Sequence, residues 1–197
     1  MKSITLLSFL VLLTSLSFGQ TKNAENYIIS QEELSSGKFF KMVGDHSYMD
    51  FYLPEKVKFG DNEYHARVRL YSWLSADTAY FRENENSYLH FDSKTNRESV
   101  VLPKEVEVGQ KWFEADSSWS YEIIGIDEVL ETPEKTYRGL IVIECLQVTG
   151  RDKHKSAKYH LHYAKGIGLV GSITNGRLNS YLSEVVKDPE KGDMIGN

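Results

Sequence analysis

The chain has 197 residues, 41% hydrophobic and 26% charged, a balance that supports one packed domain and excludes a disordered or low-complexity protein. The 23 basic and 28 acidic residues leave a formal charge of −5. With no dense Lys/Arg cluster to set against it, a nucleic-acid partner is not expected.

Reading along the chain, Lys2, an apolar run from Ile4 to Phe18 and the small residues Ser17 and Gly19 have the three parts of a secretory signal. Residues 1–19 are expected to be removed before Gln20. The run is short for a bilayer, no cysteine follows it to carry a lipid, and no later segment reaches spanning length. The mature protein is therefore expected to be exported, periplasmic or extracellular, and not membrane-spanning.

Residues 20–62 read as a lead-in followed by the first strands. Ser30-Gln-Glu-Glu-Leu34 is expected to open a short helix with Ser30 as N-cap, stopped by Ser36-Gly37. Residues 63–187 read as an antiparallel β core, with the clearest strands at Glu63–Trp73, Thr78–Arg82, Ser87–Phe91, Trp119–Leu130, Tyr137–Thr149, Ala157–Ala164, Leu169–Thr174 and Arg177–Val186. Glu83-Asn-Glu-Asn86 and Thr132-Pro-Glu-Lys135 read as hairpin connections. Asn175-Gly176 is a stronger hairpin signal, because both residues tolerate the positive φ of a two-residue type I′ turn. Gly125, Gly166 and Gly168 mark expected bends or bulges, and residues 188–197 form a polar tail. The fold class expected is all-β, a curved antiparallel sheet forming a partly open barrel or sandwich, with at most a short N-terminal helix.

Leu102-Pro-Lys-Glu-Val-Glu-Val-Gly-Gln-Lys-Trp112 and Tyr163-Ala-Lys-Gly-Ile-Gly-Leu-Val170 resemble the exported bacterial proteins of unknown function of the TapB-like, DUF type. Their core runs Leu-Pro…Val-Gly-x-x-Trp, a strand pair, then Tyr-Ala-x-Gly-x-Gly-Leu-Val and a closing hairpin. The resemblance spans residues 70–186. It implies a partly open antiparallel barrel of the kind seen in periplasmic lipid carriers, and it brings no catalytic residues with it.

Motifs for sharper chemistry are weak. Gly166-Ile-Gly-Leu-Val-Gly171 has the dinucleotide spacing, but a hairpin turn follows where a helix is required, so no cofactor is expected. Cys145, the single cysteine, lies in a β-rich run as a small hydrophobe and permits no internal disulfide. His160 and His162 share one strand face and form the candidate metal pair, with His154, Glu144 or Glu122 as a possible third ligand. Asp45, His46 and Asp50 have the residue types of an acid/base site without a matched nucleophile.

The 12% aromatic content is the stronger signal. Trp73, Tyr71, Trp119, Tyr121, Tyr159 and Tyr163 are the candidate ligand-binding residues, since a sheet that curls without closing leaves an apolar concave face. The expected function is non-enzymatic, the holding of a hydrophobic ligand, a lipid or other apolar small molecule, or of an envelope partner on that concave face. The alternative is a structural module that docks another envelope protein, and a metal-dependent enzyme built on His160 and His162 is the third reading.

Overall fold

The computed structural model describes residues 21–187; the expected signal at 1–19 and polar tail at 188–197 lie outside the described residues. Strands dominate: β1 (Thr21–Asn23), β2 (Ser36–Met42), β3 (Ser47–Phe59), β4 (Asn62–Tyr71), β5 (Ala76–Glu83), β6 (Ser87–Asp92), β7 (Arg97–Pro103), β8 (Glu105–Glu107), β9 (Lys111–Phe113), β10 (Trp119–Glu131), β11 (Thr136–Gln147), β12 (Lys158–Ala164), β13 (Gly168–Thr174) and β14 (Arg177–Lys187). The one described helix is the turn α1 (Gln31–Leu34), capped as the sequence predicts by Ser30, whose hydroxyl accepts from Glu33 N at 3.1 Å.

Twelve of the strands form one antiparallel sheet in the order β7-β6-β5-β4-β3-β2-β14-β13-β12-β11-β10-β9. Two meanders, β2 to β7 and β9 to β14, are thus stitched together where β2 pairs with β14, Phe40 opposite Leu182. The sheet curls into a nearly closed barrel whose two edge strands, β7 and β9, meet along a seam. No ladder joins them. Instead, Trp112 Nε1 donates to Val100 O at 2.9 Å and Ala115 N donates to Ser99 Oγ at 2.9 Å. Edge strands with unpaired backbone invite foreign pairing, and this side-chain closure protects them.

Curvature comes from bulges, which turn a strand more sharply than regular pleating allows. The β10–β11 ladder shifts register between Ile123 and Gly125 and again around Glu128, so Gly125 falls at a bulge as expected. The β13–β14 turn has Asn175 at φ 51° and Gly176 at φ 72°, the positive pair that a type I′ hairpin requires.

Because neighbouring strands alternate in direction, the β2–β3, β4–β5, β6–β7, β9–β10, β11–β12 and β13–β14 connections all gather at one end of the barrel, called the upper end here. The lower end is stopped by the chain's own lead-in. Ala24 N donates to Lys104 O at 2.7 Å, Asn26 N to the Tyr88 hydroxyl at 2.7 Å, and Gly166 N to Asn26 O at 2.7 Å. Buried Ala24, Tyr27, Ile28 and Ile29 then pack into the main core with Tyr52, Phe81, Trp119, Ile123, Ile141 and Ile143. A second cluster around Phe40, Tyr48, Leu140, Val170 and Leu182 ties β2 and β3 to β11, β13 and β14. The polar segment that reads as a simple lead-in is therefore a plug, held by backbone bonds that no local sequence pattern announces.

Candidate functional site

Inside the barrel, between the plug and the upper end, lies a chamber of about 190 Å³. Its floor is Ile28 and Glu33 of the plug, and its walls include Phe81 of β5, Val100 and Val101 of β7, Tyr121 of β10, Ile143 of β11, and Tyr159, Leu161 and Tyr163 of β12. The alternation of β12 sets Tyr159, Leu161 and Tyr163 on this face and turns His160 and His162 away from it. Above the chamber, a wider basin of about 670 Å³ is lined by Arg69, Tyr71, Asp77, the β6–β7 turn, Asp116, Arg151, Asp152 and Lys155. Arg67 and His90 belong to both spaces and stand at the passage between them. A groove of about 400 Å³ over the β1–β8 pair is lined by Lys22, Glu105, Glu107 and Gln110 at the surface.

The chamber is apolar over much of its wall, yet charged groups reach it from one side. In β3 and β4 the register sets Asp50 opposite Arg69 and Tyr52 opposite Arg67, so these four side chains share the inner face. Arg69 holds Asp50 through a two-point contact, Nε to Oδ1 at 2.6 Å and Nη2 to Oδ2 at 2.7 Å. Burial by itself would raise the Asp50 carboxyl, but Arg67 and Arg69 hold it below the ordinary carboxylate range. Glu33, 5% exposed, pairs with Lys38 of β2. Burial pushes the Glu33 carboxyl up and the Lys38 ammonium down, each against the pull of the other.

Arg67 is less well satisfied. Its guanidinium stacks over the Phe81 ring at 4.6 Å and its nearest carboxylate oxygen, Asp50 Oδ2, is 3.8 Å from Nε, beyond hydrogen-bond reach. Arg67 Nε, Glu33 Oε2 and Tyr52 Oη are buried polar atoms without a hydrogen-bond partner. Burial together with Arg67 lowers the pKa of His90, so its imidazole stays neutral over the physiological range. The phenols of Tyr52, Tyr121, Tyr159 and Tyr163 are pushed up by burial and remain protonated.

The structure brings together three of the six candidate aromatics, Tyr121, Tyr159 and Tyr163, on the chamber wall. Trp119 supports them from the core: its ring meets Tyr159 edge-on at 5.4 Å and its Nε1 donates to Asp152 Oδ2 at 2.7 Å. Tyr71 stands in the upper basin, while Trp73 is stacked on Tyr71 at 4.4 Å, half exposed at the β4–β5 turn and outside the chamber.

Of the metal candidates, His160 Nε2 lies 3.3 Å from Glu144 Oε2, which Lys158 also engages at 2.6 Å. His162 is buried beside Gly171 with Nδ1 unpartnered. Glu122 pairs with Lys111, and among the described residues no group of three His, Cys, Asp or Glu side chains gathers as a metal site. Asp45 and His46 fall in the β2–β3 turn, apart from Asp50 on the inner face. Cys145 is fully buried, and burial pushes its thiol up to about 12.

Sequence reasoning missed Arg67, Glu33, Lys38 and His90. A signal existed for the first: Arg67, Arg69 and Tyr71 alternate along one strand, with both arginines on the same face as a predicted ligand-binding ring. Glu33 and Lys38 carried none, since their meeting depends on the plug entering the barrel. Compared with family models, curated proteins and solved structures, the chain matches none.

Proposed function

We propose that this protein is an exported, non-enzymatic binding protein that holds a small apolar molecule in the barrel chamber. The observation that carries this reading is the chamber itself: a space of about 190 Å³ walled by aromatic and aliphatic side chains, stopped below by the plug and opening above into a wider basin. A dry cavity of about 150 Å³ already accepts benzene, so this one is large enough for a substituted aromatic ring or a short aliphatic chain. The charged side chains around it include three pairs: Lys38 with Glu33, Arg69 with Asp50, and Arg151 with Glu114.

The test is thermal unfolding of the mature chain with and without millimolar toluene, beside Leu161→Trp, whose larger ring fills the chamber. A ligand that binds only the folded state raises the melting temperature with concentration. A rise in the parent protein that Leu161→Trp abolishes is the expected result. Equal rises in both proteins would move binding elsewhere and overturn the reading.

A second reading, docking on another envelope protein, is favoured by one observation. Val43, Trp73 and Leu74 are exposed at 65%, 50% and 94%, on two upper turns joined by the bond from Ser72 N to Ser47 O. Under that reading Leu74→Asp releases the protein from an envelope fraction, and under the first it does not.

A further inference from the structure

We infer that the chamber's ligand is an amphiphilic monoanion, an aromatic or short aliphatic body bearing a carboxylate or comparable acidic head, which Arg67 receives at the passage between chamber and basin. The inference rests on the binding reading above and narrows it to a chemical class.

Five Asp, Glu, Lys and Arg side chains from the plug and from β2, β3 and β4 meet on the inner face, Glu33, Lys38, Asp50, Arg67 and Arg69, with Asp77 of β5 opposite Arg69 at the level of the basin. Glu33 and Lys38 form a pair whose sum is zero whether the proton sits on the carboxylate or the amine. Asp50 and Arg69 cancel through their two-point contact. Arg67 remains, always charged, in sight of Asp50 at 3.8 Å but with Nε buried and unpartnered. Glu114, the other carboxylate on the chamber wall, is turned toward other partners: its Oε2 accepts from Ser118 at 2.7 Å and lies 3.0 Å from Arg151, a guanidinium that Asp116 and Asp152 also engage. His90 beside the passage is neutral and contributes no charge.

A guanidinium at the edge of an apolar space whose nearest carboxylate oxygen is 3.8 Å away gains from a closer partner, and its planar fork matches an acidic head group. Its position fixes orientation as well. Arg67 lies at the level shared by chamber and basin, so a head group bound there sends its apolar body down between Phe81 and Tyr163 and leaves its charged end next to water. A cationic ligand meets the opposite condition, since among the described residues the one buried carboxylate oxygen without a hydrogen-bond partner, Glu33 Oε2, belongs to a residue already paired with Lys38.

The experiment is a calorimetric titration with three ligands of one phenyl body: phenylacetate, 2-phenylethanol and phenethylamine. A hydrogen bond to a charged partner predicts that phenylacetate binds about 10- to 100-fold more tightly than 2-phenylethanol, with phenethylamine weakest. Arg67→Met is expected to shrink the acid-to-alcohol ratio to about twofold or less, and Arg67→Lys to restore part of it. The series on the unmodified protein stands even if Arg67→Met does not fold. If 2-phenylethanol equals phenylacetate, or phenethylamine binds most tightly, the anion inference falls while the binding reading stands. If none of the three binds and toluene gives no thermal shift, both fall together.

Discussion

Gly168→Ala tests whether the plug and the barrel depend on each other. Gly168 sits at φ +82°, and a Cβ built there would lie 2.6 Å from Glu33 Oε1 and 2.9 Å from Glu33 Cδ. Two costs follow. The left-handed backbone strains any L-residue by about 1–2 kcal/mol, of which the stiffer unfolded chain returns about 0.4–1 kcal/mol. The collision matters more, because Glu33 is 5% exposed and cannot swing into water. Moving its carboxylate off Lys38 breaks a buried ion pair, at about 3–5 kcal/mol. Together these remove roughly 4–6 kcal/mol, a large share of the 5–15 kcal/mol that holds an ordinary domain.

Two sister variants separate the terms. Gly176→Ala has φ +72° with nothing within 4 Å of its Cβ and carries the strain alone, about 1 kcal/mol. Gly171→Ala has no backbone penalty but places its Cβ 2.7 Å from Leu130 Cδ2 and 3.1 Å from the Ser180 carbonyl oxygen, an overpacking cost of about 1–3 kcal/mol. Urea unfolding at fixed m-value ranks the three. A Gly168→Ala cost within about 1 kcal/mol of Gly176→Ala would show that Glu33 moves aside freely, and would refute the account of the plug as locked by the Glu33–Lys38 pair.

Other consequences are equally direct. Burial lowers the His162 pKa to about 4 from an ordinary 6.5, with His160 adding to the effect. The folded state therefore refuses a proton that the unfolded chain accepts: the contribution is fully present above about pH 6.5 and is lost as pH falls toward 4, by up to about 3 kcal/mol. Stability measured in urea from pH 7 to 4 should show that slope. His90, also lowered by burial, acts in the same direction, so His162→Gln should reduce the slope without removing it, and an unchanged slope would contradict the assignment. Arg69→Met strands Asp50, 5% exposed, without its two-point partner, and should lower stability by about 3–5 kcal/mol at neutral pH. The gap should narrow as acid protonates the carboxyl, which a urea series at pH 7 and pH 4 would reveal. Cys145, fully buried with its thiol raised to about 12, should react with an aromatic disulfide reagent only in denaturant; rapid labelling of the native protein would place it at the surface.

Local chemistry made a good part of the fold legible. The N-cap at Ser30, the type I′ hairpin at Asn175-Gly176, the bulge at Gly125 and the clearest strands of β4 to β6 and β10 to β14 each rest on interactions among residues a few positions apart, which period-2 alternation and turn residues encode directly. The same alternation on β12 correctly grouped Tyr159 with Tyr163. Pairing across the chain was hidden. That β2 meets β14, with partners more than a hundred positions apart in sequence, that β7 and β9 close by side-chain contacts, and that residues 24–34 turn inward all depend on closure of the whole sheet. The ligand-binding candidates divide along the same line: Tyr121, Tyr159 and Tyr163 share the chamber because β10 and β12 flank β11 in the sheet, while Trp73, at a turn, was carried outside it. Arg67 reads in the sequence as one more charge on an amphipathic strand. Its isolation is a property of three dimensions, because a charge is surplus only relative to the partners that burial leaves within reach. Composition determined that this chain is a β protein with an aromatic interior; only the closed sheet decided which rings face the chamber and which cation is left to meet what enters it.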